Sequence, residues 1–381
     1  MSIEIKEITN KKGLREFVKF QWKLYSGVDQ FVPPMMEFEM STFNKDKNPA
    51  FRHSQARFWM AYDGDKPVGR IAGIIHGEES KESKHIRFGW IDFIDDPEVS
   101  KALIGSVEKW GKENGLVKIH GPLGFTDLDF EGTLVDGFGQ LATQATMYNY
   151  AYYKDHFEKM GFEKAADWTE SRIKVPLGDK ELEKDLERKA NLVSSRYGMH
   201  IKEFKSGKEI LKYAPQVFEM LNSTYSHLYG FHKLDEEQVK YFIDQYFGFV
   251  QKDFILMVVD DNDDVVGFAI TFPSLSRAFK KARGRMFPFG FLHVLKAFYK
   301  NDTLDFFLIA AKEEYQKKGF NALLWKRLYW ACNKHKIKQI FSGQMLEDNT
   351  SVNNLWTKYD SAMDEEIRRR CFQKAIGGDA A

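Results

Sequence analysis

The chain has 381 residues, more than one hydrophobic core usually organises, so two domains are expected. Hydrophobic residues make up 43% and aromatics 15%, which excludes a wholly disordered chain. A net charge of +1 leaves no global field to hold a polyanion, so no nucleic-acid partner is expected, and two cysteines exclude a disulfide framework.

The first residues, "MSIEIKEITNKKGLREF", are charged throughout and lack an apolar h-region, and no stretch reaches transmembrane length; a cytoplasmic protein is the expectation. A helix is predicted over "NKKGLREFVKFQWKLY". "FWMAYDGDKPVGRIAGIIH" (Phe58 to His76) then reads as strand, Asp-Gly turn, strand. A strand "IRFGWIDFI", a helix "PEVSKALIGSVEKWGKEN" and a strand "LVKIHG" follow. The Gly-punctuated stretch Gly121 to Gln140 reads as a cleft-lining loop, with Tyr148 and Tyr152 after it as candidate substrate contacts. Its Gly137-x-Gly139-x-x-Ala142 spacing lacks the strand–turn–helix frame of a dinucleotide site. A helix and closing strand in "YYKDHFEKMGFEKAADW" complete this half.

The charged, weakly apolar stretch 177–198 reads as a helical connector, giving domains at 1–176 and 199–381. The second half repeats the grammar of the first. Helical segments precede a hairpin "FILMVVDDNDDVVGFAITF" (Phe254 to Phe272), then come a strand "LDFFLIAA", a helix "GFNALLWKRLYWACNKH", a strand "IKQIFSG", and a last helix and closing strand. Both hairpins open their second strand with Val-Gly: Val68-Gly69 and Val266-Gly267. Ser276 to Lys300 interrupts the second half with seven basic residues and no acid. Basic and aromatic residues together suit an anionic lipid surface, an acyl carrier or the phosphates of a nucleotide; a lid helix with its lysines in water is the plainer alternative.

After the strand "LDFFLIAA", the residues Gln316-Lys317-Lys318-Gly319-Phe320-Asn321 lead into the apolar helix. This is an arrangement that binds phosphate: open amides and the positive dipole end at a helix start, a glycine that allows close approach, and two lysines. An ordinary turn with solvated lysines has the same composition. In its frame the stretch resembles the Q/R-x-x-G-x-G/A loop of the GNAT acyltransferase superfamily, with Asn321 replacing the final small residue. Asn349, Val352 and Trp356 resemble the segment that follows it in that family. The resemblance covers most of the chain, twice over, and is closest to bacterial two-GNAT proteins.

The resemblance implies an α/β protein of two tandem GNAT-like domains, each a mixed, mostly antiparallel sheet flanked by helices. It implies acetyl-CoA or another acyl-CoA as co-substrate, no metal, and direct attack by an amine on a small-molecule or peptide acceptor, with acetyl as the expected group. The pyrophosphate would rest on Gln316 to Asn321, the pantetheine along Leu308, Ile309 and Ala310, with Asn349 nearby. In the first half Asp95, Asp96 and Pro97 occupy the place of Lys317, Lys318 and Gly319, and two carboxylates and a missing donor oppose a pyrophosphate there. The tyrosine that protonates the leaving thiolate in many family members is here Trp356; Tyr359, three residues on, is the substitute. Glu347 and His232 are candidate bases, and Tyr225, Tyr229 and Phe231 candidate acceptor contacts. A non-catalytic CoA-, lipid- or peptide-binding protein on the same scaffold, or a Fem-type transferase using aminoacyl-tRNA, are the competing readings. Cys332-x-x-His335 is only a pair and makes no zinc site.

Overall fold

The structure is a computed structural model that describes residues 3–246, 248, 250–349 and 366–377. The chain divides into two compact units, one of residues 1–169, 275–294 and 367–381, the other of residues 170–274 and 295–366.

In the first unit, β1 (Ile3–Glu7) pairs with β2 (Ser54–Asp63), which forms the expected hairpin with β3 (Lys66–His76). β3 is antiparallel to β4 (His85–Phe93), and β4 is parallel to β5 (Lys118–Gly121). The sheet order continues from β5 to β15 (Ile367–Ala375) and then β7 (Glu163–Glu170), with β6 (Thr133–Asp136) also paired to β15. Helices α1 (Lys11–Leu24) and α2 (Met36–Thr42) cover one face, where Phe17, Phe43, Phe58 and Trp90 share a core. Asn10 starts α1 by accepting from the Gly13 amide at 2.9 Å, one of the orphan donors of a helix start. After the single turn α3 (Glu79–Glu82), α4 (Pro97–Glu113) and α5 (Tyr152–Lys159) pack on the other face through Leu103, Val107, Trp110 and Phe157. Each such side chain, fully buried, contributes about 1.5–3 kcal/mol.

The second unit orders β8 (Arg172–Lys174), β13 (Gln339–Phe341), β12 (Thr303–Ala311), β11 (Val265–Pro273), β10 (Ile255–Val259) and β9 (His200–Ile201). Of these contacts, β12 with β13 is parallel and the rest are antiparallel. Helix α6 (Lys180–Tyr197), the turn α7 (Gly207–Ile210), α8 (Ala214–Thr224), α9 (Glu236–Tyr246), the turn α12 (Glu313–Gln316) and α13 (Phe320–His335) belong to this unit, with β14 (Met345–Leu346) a short strand after β13; α10 (Ser276–Ala282) falls in the first unit, and the division runs through α11 (Gly290–Tyr299). The Val-Gly repeat has a packing cause. A Cβ on Gly69 would stand 2.7 Å from Leu103 of α4, and one on Gly267 would stand 2.9 Å from Phe320 of α13. In each unit the missing side chain lets the long helix lie against the sheet.

Two expectations change. The stretch 177–198 is no free connector: α6 packs its Ala190 and Val193 into the core that α13 lines. The closing strand of the chain does not belong with 199–381, because β15 sits between β5 and β7 in the first unit while β8 supplies the corresponding neighbour of β13 in the second. Side chains hold β15 there: Arg370 grips Asp167 with two bonds of 2.8 and 2.9 Å, and buried Arg369 donates to the Met147 carbonyl. Burial works against the Asp167 carboxylate, but Arg370 and Lys164 hold its pKa below the usual range. The stretch 121–140 is likewise not all loop, since it contains β6.

Candidate functional site

In the second unit β12 and β13 pair over three residues, Thr303↔Gln339 to Asp305↔Phe341. β12 then runs on to Ala311 while β13 ends, so the sheet opens into a slot. A bulge marks the opening: Ile270 faces Leu308 and Thr271 faces Phe306, leaving Phe307 extra on β12. The first unit bulges at the matching place, where Arg70 faces Asp92 and Ala72 faces Gly89.

Beyond the bulge, the main chain of Ile309 turns to the open edge. Its carbonyl accepts from the Tyr225 hydroxyl at 2.9 Å and its amide donates back to the same oxygen at 3.4 Å. Antiparallel pairing alternates, so Leu308 and Ala310 direct their main-chain groups to β11 and only their neighbour presents its groups to the slot. Of the three strand residues expected to meet a pantetheine, Ile309 is therefore the one whose main chain faces the slot, where the Tyr225 hydroxyl meets it.

At the end of the strand the chain turns through the loop that leads into α13. Gln316 donates to the Ala311 carbonyl at 3.1 Å, tying loop to strand. Gly319 has φ +79 and stands as N-cap of α13. The Lys317 and Lys318 amides are taken by the Tyr315 carbonyl, whereas the Gly319 and Asn321 amides meet no backbone carbonyl among the described residues. Phe320 is buried under Gly267, so its ring serves the core and not a ligand. Lys317 is exposed, and the Lys318 ammonium lies 4.6 Å from the Tyr315 ring centre. Two open amides at the positive end of a 16-residue helix, with a lysine beside them, fit a phosphate-bearing group.

The sequence reading missed Asp305. It lies on β12 at the base of the slot, only 7% exposed, with Ser274 as a hydrogen-bonding neighbour of its carboxylate. Burial pushes its pKa up to about 7; Ser274 and Arg172 pull it back only in part. Phe307, two residues on, packs 5.4 Å from Tyr246 and 5.7 Å from Phe272, making an aromatic wall. The available signal was a lone acid in the apolar run "LDFFLIAA".

The other expected residues are spread wider. Tyr225 packs edge-on to Phe231 at 5.8 Å, in a loop closed by two bonds between Asn222 and the Leu234 main chain. Tyr229 and His232 are half-buried in that loop. Glu347 is exposed on the turn after β14, where the Asn349 amide bonds to the Leu346 carbonyl. Tyr359, with Trp356 and Val352, lies outside the described residues. Tyr148 and Tyr152 stand in the first unit's own aromatic cluster, Tyr148 edge-on to Tyr25 at 5.5 Å and Tyr152 donating to the Phe93 carbonyl at 2.5 Å.

In the first unit this cluster takes the main-chain groups of Phe93, at the end of β4. Tyr153 accepts from the Phe93 amide at 2.9 Å and shares Asp92 with Tyr25. Arg70, fully buried, completes the network through a 2.6 Å bond to Asp92. At the start of α4 the Asp96 side chain accepts from the Glu98 amide at 2.9 Å, filling the position an anion would take, and Asp95 bonds to His156.

No family model matches the chain. Protein YghO of Escherichia coli K12 is 27% identical over 385 aligned positions, covering 98% of this chain and 95% of that one. The bacterial ceramide synthase of Caulobacter vibrioides is 21% identical over 295 positions, covering 74% and 73%. Among solved structures, a tandem GNAT protein from the clavulanic acid biosynthesis pathway matches over 100% of both chains, with a TM-score of 0.58 and 11% identity. A GCN5-related glucosamine N-acetyltransferase region of a fungal multi-domain β-N-acetylglucosaminidase covers 98% of this chain and 38% of that one, with TM-score 0.58 and 12% identity. At such identities the likeness concerns architecture, and it agrees with the two bulged, splayed sheets: the chain has the tandem GNAT fold.

Proposed function

We propose that this chain is an acyl-CoA-dependent N-acyltransferase with one thioester site, the slot of the second unit. The observation that carries the reading is the combination of the β12 edge beyond the end of β13, held there by one tyrosine hydroxyl, with the Gly319 bend and its two open amides. The pyrophosphate of CoA rests on the amides of Gly319 and Asn321, with Lys317 adding charge. The pantetheine takes the Ile309 edge in place of the Tyr225 hydroxyl, as an added strand would. Asp305, ionised above neutral pH, accepts a proton from the acceptor's ammonium. The freed amine attacks the thioester carbonyl, the C–N bond forms, the C–S bond breaks, and the thiolate leaves to be protonated by solvent or a nearby phenol.

The acceptor follows from the same slot. An aromatic wall of Phe307, Tyr246 and Phe272 suits an apolar chain better than a polar metabolite. A ceramide is an amide of a long-chain amino alcohol, and the likeness to a bacterial ceramide synthase supports a lipid-like amine and an acyl chain longer than acetyl. Trp356 in place of the family's tyrosine favours a second reading, a CoA- or lipid-binding protein without turnover.

The test is a matrix of acyl-CoAs of increasing chain length against polar amines, peptides and long-chain amino alcohols, with amide products read by mass spectrometry. Amide formation with long-chain amines, absent in Asp305→Asn, is the expected result. Thioester binding with no product from any amine would leave the second reading.

A further inference from the structure

Helices α10 and α11 bracket a short loop that holds apolar side chains out into solvent. Phe287 is 71% exposed and Phe289 69%, and Phe291 and Leu292 at the start of α11 are exposed beside them. Leu295 and Tyr299, one and two turns further on the same helix, continue that face, Tyr299 being 91% exposed. Single exposed hydrophobics are ordinary; a contiguous run of six is not.

The loop is built to keep this shape. Gly284, at φ +70, lies where a Cβ would meet the Trp22 ring at 2.5 Å, and its carbonyl accepts from the Met36 amide at 2.9 Å. A Cβ on Gly290 would collide with the Arg285 carbonyl at 1.8 Å. The Phe291 amide bonds to the Met286 carbonyl at 2.8 Å, and the Arg285 guanidinium lies over the Trp22 ring at 5.7 Å. Beneath, Ala278, Phe279 and Ala282 are buried. A fixed, anchored loop thus displays two phenylalanines that it could have folded inward.

Charge identifies the partner. Lys281, Arg283 and Arg285 precede the phenylalanines and Lys296 and Lys300 follow, all exposed, and 276–300 contains no acid. A second copy of the chain would bring the same positive charge against itself across a two-fold interface. An anionic bilayer offers the opposite charge at its surface and an apolar layer below it. No described helix is long and apolar enough to cross a membrane, so the contact would be made from one side.

We propose that the 281–299 segment docks the protein on anionic lipid bilayers, inserting Phe287 and Phe289 among the headgroups while the flanking lysines and arginines meet lipid phosphates. The proposal concerns binding and stands whether or not the second unit is an enzyme.

The experiment is flotation of the full chain with vesicles of phosphatidylcholine alone and with about one third phosphatidylglycerol. Wild type should float with the anionic vesicles and be released by high salt. Phe287→Ser with Phe289→Ser should weaken partitioning roughly 100-fold or more, and Lys281→Gln with Arg283→Gln about fivefold per charge. These side chains are exposed, so circular dichroism and melting temperature should match wild type. A Phe289→Trp variant should show a blue-shifted emission quenched by brominated lipid. Failure to float with any vesicle, flotation unchanged in the phenylalanine variant, or lipid-independent dimers abolished by that variant would each overturn the proposal, the last assigning the surface to a second copy of the chain.

Discussion

Asp305 stands between Leu304 and Phe306, whose side chains enter the core under α13, and its own carboxylate is buried beside Ser274. Burying an acid with so little support for its charge is costly, and such groups accumulate where chemistry needs them. Its pKa, raised by burial to about 7, lies far above the ~3.9 of an unfolded chain. The folded protein therefore keeps a proton that the unfolded chain has released, and the stability this contributes is present below about pH 4 and lost as pH rises through 7. Glu39, raised to about 7, and Asp129, raised to about 6, act in the same direction. Asp305→Asn should flatten part of that decline: it should melt higher than wild type at pH 8, by on the order of 1–3 kcal/mol, and match it near pH 4. If Asp305 is the base, kcat/KM should rise with pH to a plateau above about 7, and the Asn variant should lose roughly 100-fold or more. Tyr225→Phe removes the hydroxyl that occupies the Ile309 edge. It should tighten CoA binding roughly 2- to 10-fold by calorimetry; weaker binding would mean that the phenol contacts the ligand instead.

The loop and the strands show which features of an element a sequence states openly. Hairpins, their Val-Gly starts and the helix after Gly319 were legible because turn chemistry and close packing leave local marks. β15 was legible as a strand, but not its address: "IRRRCFQKA" gives a period of two and an apolar face, while the choice of sheet is made by Asp167 and the Met147 carbonyl, some two hundred residues earlier. Helix α6 was partly legible, since Leu186, Ala190, Val193 and Tyr197 form a stripe at helical spacing that its many charges concealed. Asp305 was not legible as a site because a single acid in an apolar strand also fits a side chain turned to solvent. Ending the chain at residue 366 would remove β15 from between β5 and β7 and leave buried Asp167 without its arginines. Circular dichroism and limited proteolysis should then show the first unit unfolded, with a loss well beyond the 3–5 kcal/mol of a broken buried ion pair. A stable first unit in that truncated chain would show that β15 is an ornament of the sheet.

Across the whole molecule a duplicated scaffold has been equipped unequally. In one unit Tyr152 and Tyr153 take the main chain of Phe93 and an aspartate caps the helix; in the other a single Tyr225 hydroxyl takes the Ile309 edge, and a glycine bend and a buried acid accompany it. Strands β7 and β8 are consecutive in the chain but lie in different sheets, so cutting the chain at 198/199 takes β8 from the second sheet and β15 from the first. Residues 1–198 and 199–381 should each be insoluble or unfolded when produced alone, and soluble when produced together.

The measurement that bears most directly on this asymmetry is isothermal titration of CoA into the full chain. One molecule should bind per chain, and Gly319→Val combined with Lys317→Gln and Lys318→Gln should weaken it at least about tenfold, because the positive φ and the local charge are both lost. Two molecules per chain, an affinity indifferent to those substitutions, or no heat at any concentration would contradict a single CoA site at the start of α13.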